Sequence, residues 1–183
     1  MSTTSAAETV EIRLDRAVQL FDNHDPYPFR QRGLNQAAEA YIVGKAESVS
    51  ARRPLQIVLH LPAQEVGSEA ATSLGEAISS HFNERADTAQ QSLRRLFRDG
   101  RRSLAIGLVV LGVCLLGSSL VQSYPGYRFP KLIAEGLMIF GWVANWRPME
   151  IFLYEWWPIV RQRNIYRRLA DAPVVIQADS SSP

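Results

Sequence analysis

Glu135, Asn145, Arg147 and Glu150 are the residues whose type and position could do chemistry, because all four sit in or beside an apolar stretch. A carboxylate at the centre of a bilayer costs about 3 kcal/mol or more, so one that is kept there often serves a proton, an ion or a partner. Glu135 lies within residues 132–146, LIAEGLMIFGWVANW, and Lys131 precedes it by four positions. Residues four apart share a helix face, so an interfacial Lys131–Glu135 ion pair competes with a proton or ion role. Asn145, Arg147 and Glu150 surround Pro148. Proline has no N–H to give to the carbonyl four residues back, here that of Ala144. Asn145 or Arg147 could satisfy that carbonyl, and Arg147 could pair with Glu150. The same group could instead bind a lipid headgroup or a small anion.

The remaining reactive side chains form no motif. His24, His60 and His81 are far apart and lack metal-ligand spacing. His24 and Asp25, in NHDP, read as a turn device. Cys114 is the sole cysteine, which excludes an intrachain disulfide and a cysteine metal cluster. The sequence shows neither a glycine-rich phosphate loop nor a nucleophile elbow. No catalytic residue, cofactor site or metal site is expected.

The elements that must position these residues start with residues 103–121, SLAIGLVVLGVCLLGSSLV, 19 positions without a charge. At 1.5 Å per residue such a helix crosses most of a hydrocarbon core about 30 Å thick. Residues 129–147 form a second, shorter segment, and the connection QSYPGYRFPK, with two prolines and a glycine, reads as a tight turn. The expectation is a transmembrane hairpin with spans at about 103–122 and 129–147. On the first span Ala105, Gly112 and Ser119 recur every seven residues; on the second Ala134, Met138, Gly141 and Asn145 form a small and polar stripe. Such stripes allow close helix contact, within the hairpin or between copies.

Charge sets the orientation. Residues 1–92 carry a net charge of −4 and residues 93–183 a net charge of +6. Arg94, Arg95, Arg98, Arg101 and Arg102 precede the first span, and Arg161, Arg163, Arg167 and Arg168 follow the second; the loop between has only Arg128 and Lys131. The positive-inside rule places both termini in the cytoplasm. Tyr124, Tyr127 and Phe129 would mark the outer interface. Trp142, Trp146, Trp156 and Trp157 would mark the inner one. The start, MSTTSAAETVEIRLD, lacks the basic and apolar regions of a signal peptide. Residues 148–170 read as an interfacial segment followed by a basic helix.

The soluble part reads as α+β. After a disordered stretch over 1–9, VEIRL alternates like a strand, FDNHDPYPFRQRG is a loop, and a helix runs from about 35 to 48 with Asn35 as N-cap. LQIVLHL is the clearest strand, with Leu55, Ile57, Leu59 and Leu61 on one face and Gln56, Val58 and His60 on the other. One face of a small antiparallel sheet can meet water, so His60 is expected on the wetter side. From Thr72, the residues Leu74, Ile78, Phe82, Ala86, Ala89, Leu93 and Leu96 repeat at helical spacing. This stripe packs either on the sheet or on copies of itself. Val174, Val175 and Ile176 offer a further strand before a disordered tail. The soluble domain over 10–100 is then split in sequence by the hairpin over 101–147, and 171–183 return to it.

The elements DPYPFRQRGLNQAAEAYIV, LQIVLHLP, the arginine-rich helix before the first span, and GWVANWRPMEIFLYEWWP resemble a group of small bacterial two-span inner-membrane proteins. The resemblance covers about residues 10–176, and WRPMEIFLYEWWP is its most specific part. It implies a topology and a bacterial inner-membrane location, and brings no activity.

Three functions fit. The first is a non-enzymatic accessory, scaffold or regulatory protein acting through protein contacts. The second is a small oligomeric channel or transport component with Glu135 and Asn145 facing a shared interior. The third is a membrane-surface enzyme using the Arg147/Glu150 region on lipid headgroups. The implied partners are the lipid bilayer and another membrane protein or further copies of the chain, and not nucleic acid.

Overall fold

LQIVLHLP becomes β2 (Leu55–Pro62), the middle strand of a three-stranded sheet of order β1-β2-β3 in the computed structural model. The structure describes residues 8–21, 33–50, 53–123, 126 and 128–179. His24, Asp25, Tyr124, Tyr127, most of the FDNHDPYPFRQRG segment and both extreme ends lie outside the described residues. Contacts divide the chain into two compact units, one within Met1–Ala89 and Arg161–Pro183, the other Gln90–Val160. The sheet unit is therefore split in sequence.

Within the sheet unit, β1 (Glu8–Arg13) begins inside the stretch expected to be disordered and places Val10 against Ile57 and Ile12 against Leu59. β3 (Val174–Asp179) lies on the other side of β2, with Val174 against Ile57 and Ile176 against Leu59. Both pairings are parallel, which corrects the antiparallel expectation. Each connection between successive strands is long and contains helix, and parallel neighbours need such crossovers where antiparallel ones can use tight turns. Leu55, Ile57, Leu59 and Leu61 are buried as the alternation predicts. Val58, on the opposite face, is buried too, while Gln56 and His60 are half-buried.

The helix α1 (Gln36–Ser48) starts where expected, with the Ala37 N–H donating to Asn35 Oδ1 at 2.9 Å. Its buried face carries Glu39, Ile42 and Ala46. The helix α2 (Glu69–Ser123) begins three residues before Thr72, and Ser68 Oγ accepts from the Ala71 N–H at 3.1 Å. Its stripe of Leu74, Ile78, Phe82, Ala86 and Ala89 is buried. Phe82 stacks on Tyr166 of α5 (Trp156–Ala170) at 6.1 Å between centroids. Ser79 Oγ donates to the Ala170 carbonyl at 2.8 Å, and a methyl at Gly75 would touch Val174. The stripe thus finds its partners inside its own unit, which answers the alternative of self-association.

In the second unit, α2 over residues 90–123 pairs with α3 (Pro130–Val143). The contacts run in opposite directions along the two helices: Gly107 meets Asn145, Leu111 and Cys114 meet Gly141, and Gly117 meets Leu137. That is an antiparallel helical hairpin. By length and composition α2 can cross a membrane: one 18-residue stretch has a mean hydropathy of 2.5, and only 17% of it is buried. The core helix of a water-soluble domain would hide such a stretch.

The second apolar segment is not one helix over 129–147. With 14 residues, α3 rises about 21 Å, and a turn at Ala144–Asn145 separates it from α4 (Trp146–Glu150). Pro148 supplies the reason, since it has no N–H for Ala144. The Ala144 and Asn145 N–H groups donate to the Phe140 and Trp142 carbonyls, each at 3.0 Å, and close the end of α3. A π-helical turn over Ile151–Glu155 follows, leading into α5. Pro158 again withholds a donor, from the Tyr154 carbonyl inside that turn.

Candidate functional site

Small residues first create the closest contact of the hairpin. A methyl group on Gly107 would lie 2.6 Å from Asn145 Oδ1 and 3.1 Å from the Ala144 carbonyl oxygen. Only a glycine lets the backbones meet there. Asn145 uses that proximity: its Nδ2 donates to the Gly107 carbonyl at 3.1 Å and to the Gly141 carbonyl at 3.0 Å. One amide therefore ties α2 to the end of α3. The carbonyl that Pro148 frees is not met by a side-chain hydrogen bond from Asn145 or Arg147, contrary to expectation; it lies close beside Gly107.

The interface stripe on α2 is also different from the expected one. Gly107, Cys114 and Ser118 are buried, whereas Ala105 and Ser119 are exposed and Gly112 has open space around it. On α3, Ala134 and Gly141 are buried as expected, and Met138 is exposed. A seven-residue repeat of small residues occurs twice on α2, and sequence spacing alone could not choose between the two registers.

Beyond the kink, Arg147 gathers two carboxylates. It pairs with Glu155 through both terminal nitrogens, and its Nη1 also lies 3.3 Å from Glu150 Oε2. The Trp146 indole N–H donates to Glu150 Oε1 at 2.9 Å. The Arg147–Glu150 pair is the one that helical spacing predicts; Glu155, which that spacing does not predict, is brought back to Arg147 after eight residues by the helical run over 146–155. A guanidinium engaged twice by carboxylates has little left for a phosphate.

Glu135 stands apart. It is exposed on α3, and among the described residues no ion pair joins it to Lys131. Asn145 donates to the Gly107 and Gly141 carbonyls instead, and among the described residues no hydrogen bond links it to Glu135. A groove of roughly 300 Å³ runs beside Asn145, lined by Leu104, Leu108, Leu111, Trp142 and Met149. Its walls suit hydrocarbon.

The sheet unit holds a polar cluster that no local sequence motif marks. Glu39 on α1 accepts from Arg85 Nη2 at 2.7 Å and lies 3.1 Å from His81 Nε2. His81 Nδ1 accepts the Leu34 N–H at 3.3 Å, so Nε2 carries the ring proton that faces Glu39. Both ring nitrogens are occupied, and the imidazole has no free lone pair for general-base work. The hydrogen bond that Arg85 donates to Glu39, outweighing partial burial, holds the guanidinium above its ordinary pKa. The available sequence signal was a carboxylate on the buried stripe of α1, with histidine and arginine four apart on α2.

No family model, curated protein or solved structure matches the chain.

The cluster makes a direct prediction. Glu39→Ala removes the acceptor of the nearly buried His81 and of the half-exposed Arg85, and a buried donor left unsatisfied costs about 1–3 kcal/mol. Thermal melts should show a clear loss of stability for Glu39→Ala and almost none for Glu47→Ala, since Glu47 is exposed on the same helix. Equal melts for the two variants would remove the cluster from the account.

Proposed function

We propose that the chain is an integral membrane protein of accessory, scaffold or regulatory type. In this reading a two-helix hairpin anchors a small α/β unit whose surface engages another protein. The observation that carries the reading is the exposure of the hairpin's apolar side chains. Ile106, Val109 and Leu116 on α2, and Leu132, Ile139 and Phe140 on α3, are each 64–69% exposed although the two helices pack together. Apolar area on that scale requires a cover, and a lipid bilayer is the cover that fits a 19-residue uncharged segment. The turn at Ala144 and the tryptophans at and after the end of α3 suit a second span that ends at the headgroup layer.

A bacterial inner membrane is what the sequence resemblance implies, and the arginine asymmetry supports placing both termini in the cytoplasm. The polar clusters support a structural rather than a catalytic role. Arg147, Glu150 and Glu155 satisfy one another, and His81 is fixed at both nitrogens.

Alkaline carbonate extraction of membranes from expressing cells tests the anchor. The full chain should remain in the pellet with a known integral protein. Release into the supernatant would reject the reading. Crosslinking in native membranes, followed by purification, tests the accessory role: a stoichiometric second protein supports it, and a homo-oligomer enclosing a water-filled axis replaces it with the channel reading.

A further inference from the structure

The five arginines before the apolar stretch do more than their number requires. An orientation signal needs basic residues near a span and sets no demand on which way they face. Arg94, Arg95, Arg98, Arg101 and Arg102 lie on continuous helix, and at 100° per residue they fall within a sector of about 120°. All five are exposed. Among the described residues none of them has a carboxylate or other hydrogen-bond partner, although exposed Asp99 stands four residues after Arg95 and three before Arg102. The other side of the same helix is occupied. Phe97 stacks on Phe152 at 6.1 Å, and a methyl at Gly100 would press on Ile151 at 2.8 Å. Packing therefore turns the guanidinium face outward.

We propose that this arginine face binds the headgroups of anionic phospholipids, on the reading that the α2 stretch beginning at Ser103 crosses the bilayer. The observation is the juxtaposition of five unpaired guanidiniums on one helix face with the first residue of the uncharged stretch. From Arg94 to Arg102 the helix rises about 12 Å, so Arg98, Arg101 and Arg102 meet the headgroup layer and Arg94 and Arg95 reach it along their flexible stems. A guanidinium forks onto two phosphate oxygens, and basic clusters next to a span attract anionic lipid. Arg147 is not part of this surface, because Glu150 and Glu155 hold it.

The test uses the full chain purified in non-ionic detergent, melted while phosphatidylglycerol or phosphatidylcholine is titrated in. A ligand that binds the folded state raises the melting temperature. Phosphatidylglycerol should raise it and phosphatidylcholine should not, with the response suppressed by high salt. Replacing all five arginines with glutamine (R94Q, R95Q, R98Q, R101Q, R102Q) should weaken the anionic preference roughly tenfold or more. Removing the loop charges (R128Q with K131Q) should leave it intact. Melting in lipid-free detergent checks that the fivefold variant is folded. Equal responses to the two lipids, or an undiminished preference in the fivefold variant, overturns the proposal. A shift caused by an oligonucleotide but not by phosphatidylglycerol overturns it in favour of nucleic acid. A chain that survives carbonate extraction yet fails these titrations loses only the lipid-binding face; one that is extracted loses the membrane reading itself.

Discussion

Leu59→Asp should abolish folding of the sheet unit, while His60→Asp leaves it folded. Leu59 is in the central strand, between Ile12 of β1 and Ile176 of β3, and is fully buried. A carboxylate there would share the buried face of Leu55, Ile57 and Leu61. Burying an unpaired charge costs several kcal/mol even after its pKa adjusts, against a total stability of about 5–15 kcal/mol for a typical domain. His60 faces the other way. Its side chain is 18% exposed, and its Nε2 lies 3.9 Å from Glu11 Oε2. Aspartate at that position reaches partial solvent and loses only a loose contact, though it adds repulsion from Glu11. Burial of Val58 shows that this face is not fully wet, so His60→Asp should cost some stability and remain foldable. Expression level and thermal melts in detergent read the difference; equal behaviour would place the wrong face of β2 in the core.

Gly107→Leu should separate the hairpin, whereas Gly112→Ala should not. At Gly107 even a single methyl collides with Asn145, whose side chain is held by two hydrogen bonds, and with the Ala144 carbonyl. Overpacking of a close contact costs about 1–3 kcal/mol, and a leucine here also breaks the Asn145 tie. Gly112 has no neighbour within 4 Å, and alanine there favours the helix by up to about 1 kcal/mol. A crosslink reads the result directly. A Cβ at position 141 would lie 3.2 Å from Cys114 Cβ, within a few tenths of an ångström of disulfide geometry. Gly141→Cys should therefore oxidise onto Cys114 in the otherwise native chain and in the Gly112→Ala background. In the Gly107→Leu background it should not. A crosslink that forms equally in all three would show that Gly107 does not set the helix approach.

The contrast between these two predictions shows what was legible in the residues. Alternation in LQIVLHL and the helical stripe from Leu74 identify the buried faces, because each repeats with the period of its element. The β-branched run at 174–176 identifies the third strand. Strand direction was not legible, since period-2 patterning is the same in parallel and antiparallel sheets; only the long connections carried that information. The α2 contact face was not legible either. Gly107–Cys114 and Ala105–Gly112–Ser119 offer the same spacing, and the choice depends on where Pro148 ends the facing helix and leaves Asn145. Glu39 lies 42 residues from His81 and 46 from Arg85 in sequence, so no local motif joins them. Arg147 with Glu150 was readable at helical spacing, while Glu155 depended on the π-helical turn that shifts the facing of everything after Ile151.

In the reading proposed above, α2 and α3 form a membrane hairpin and the chain on either side of it stays in the cytoplasm. Cysteine accessibility in intact cells tests it most directly. In a Cys114→Ala background, Gly126→Cys places a thiol in the exposed hairpin connection and Gly67→Cys places one in an exposed turn of the sheet unit. A membrane-impermeant maleimide should label position 126 in intact cells or spheroplasts and position 67 only after the membrane is permeabilised. Labelling of both positions before permeabilisation, or of neither, would contradict the hairpin.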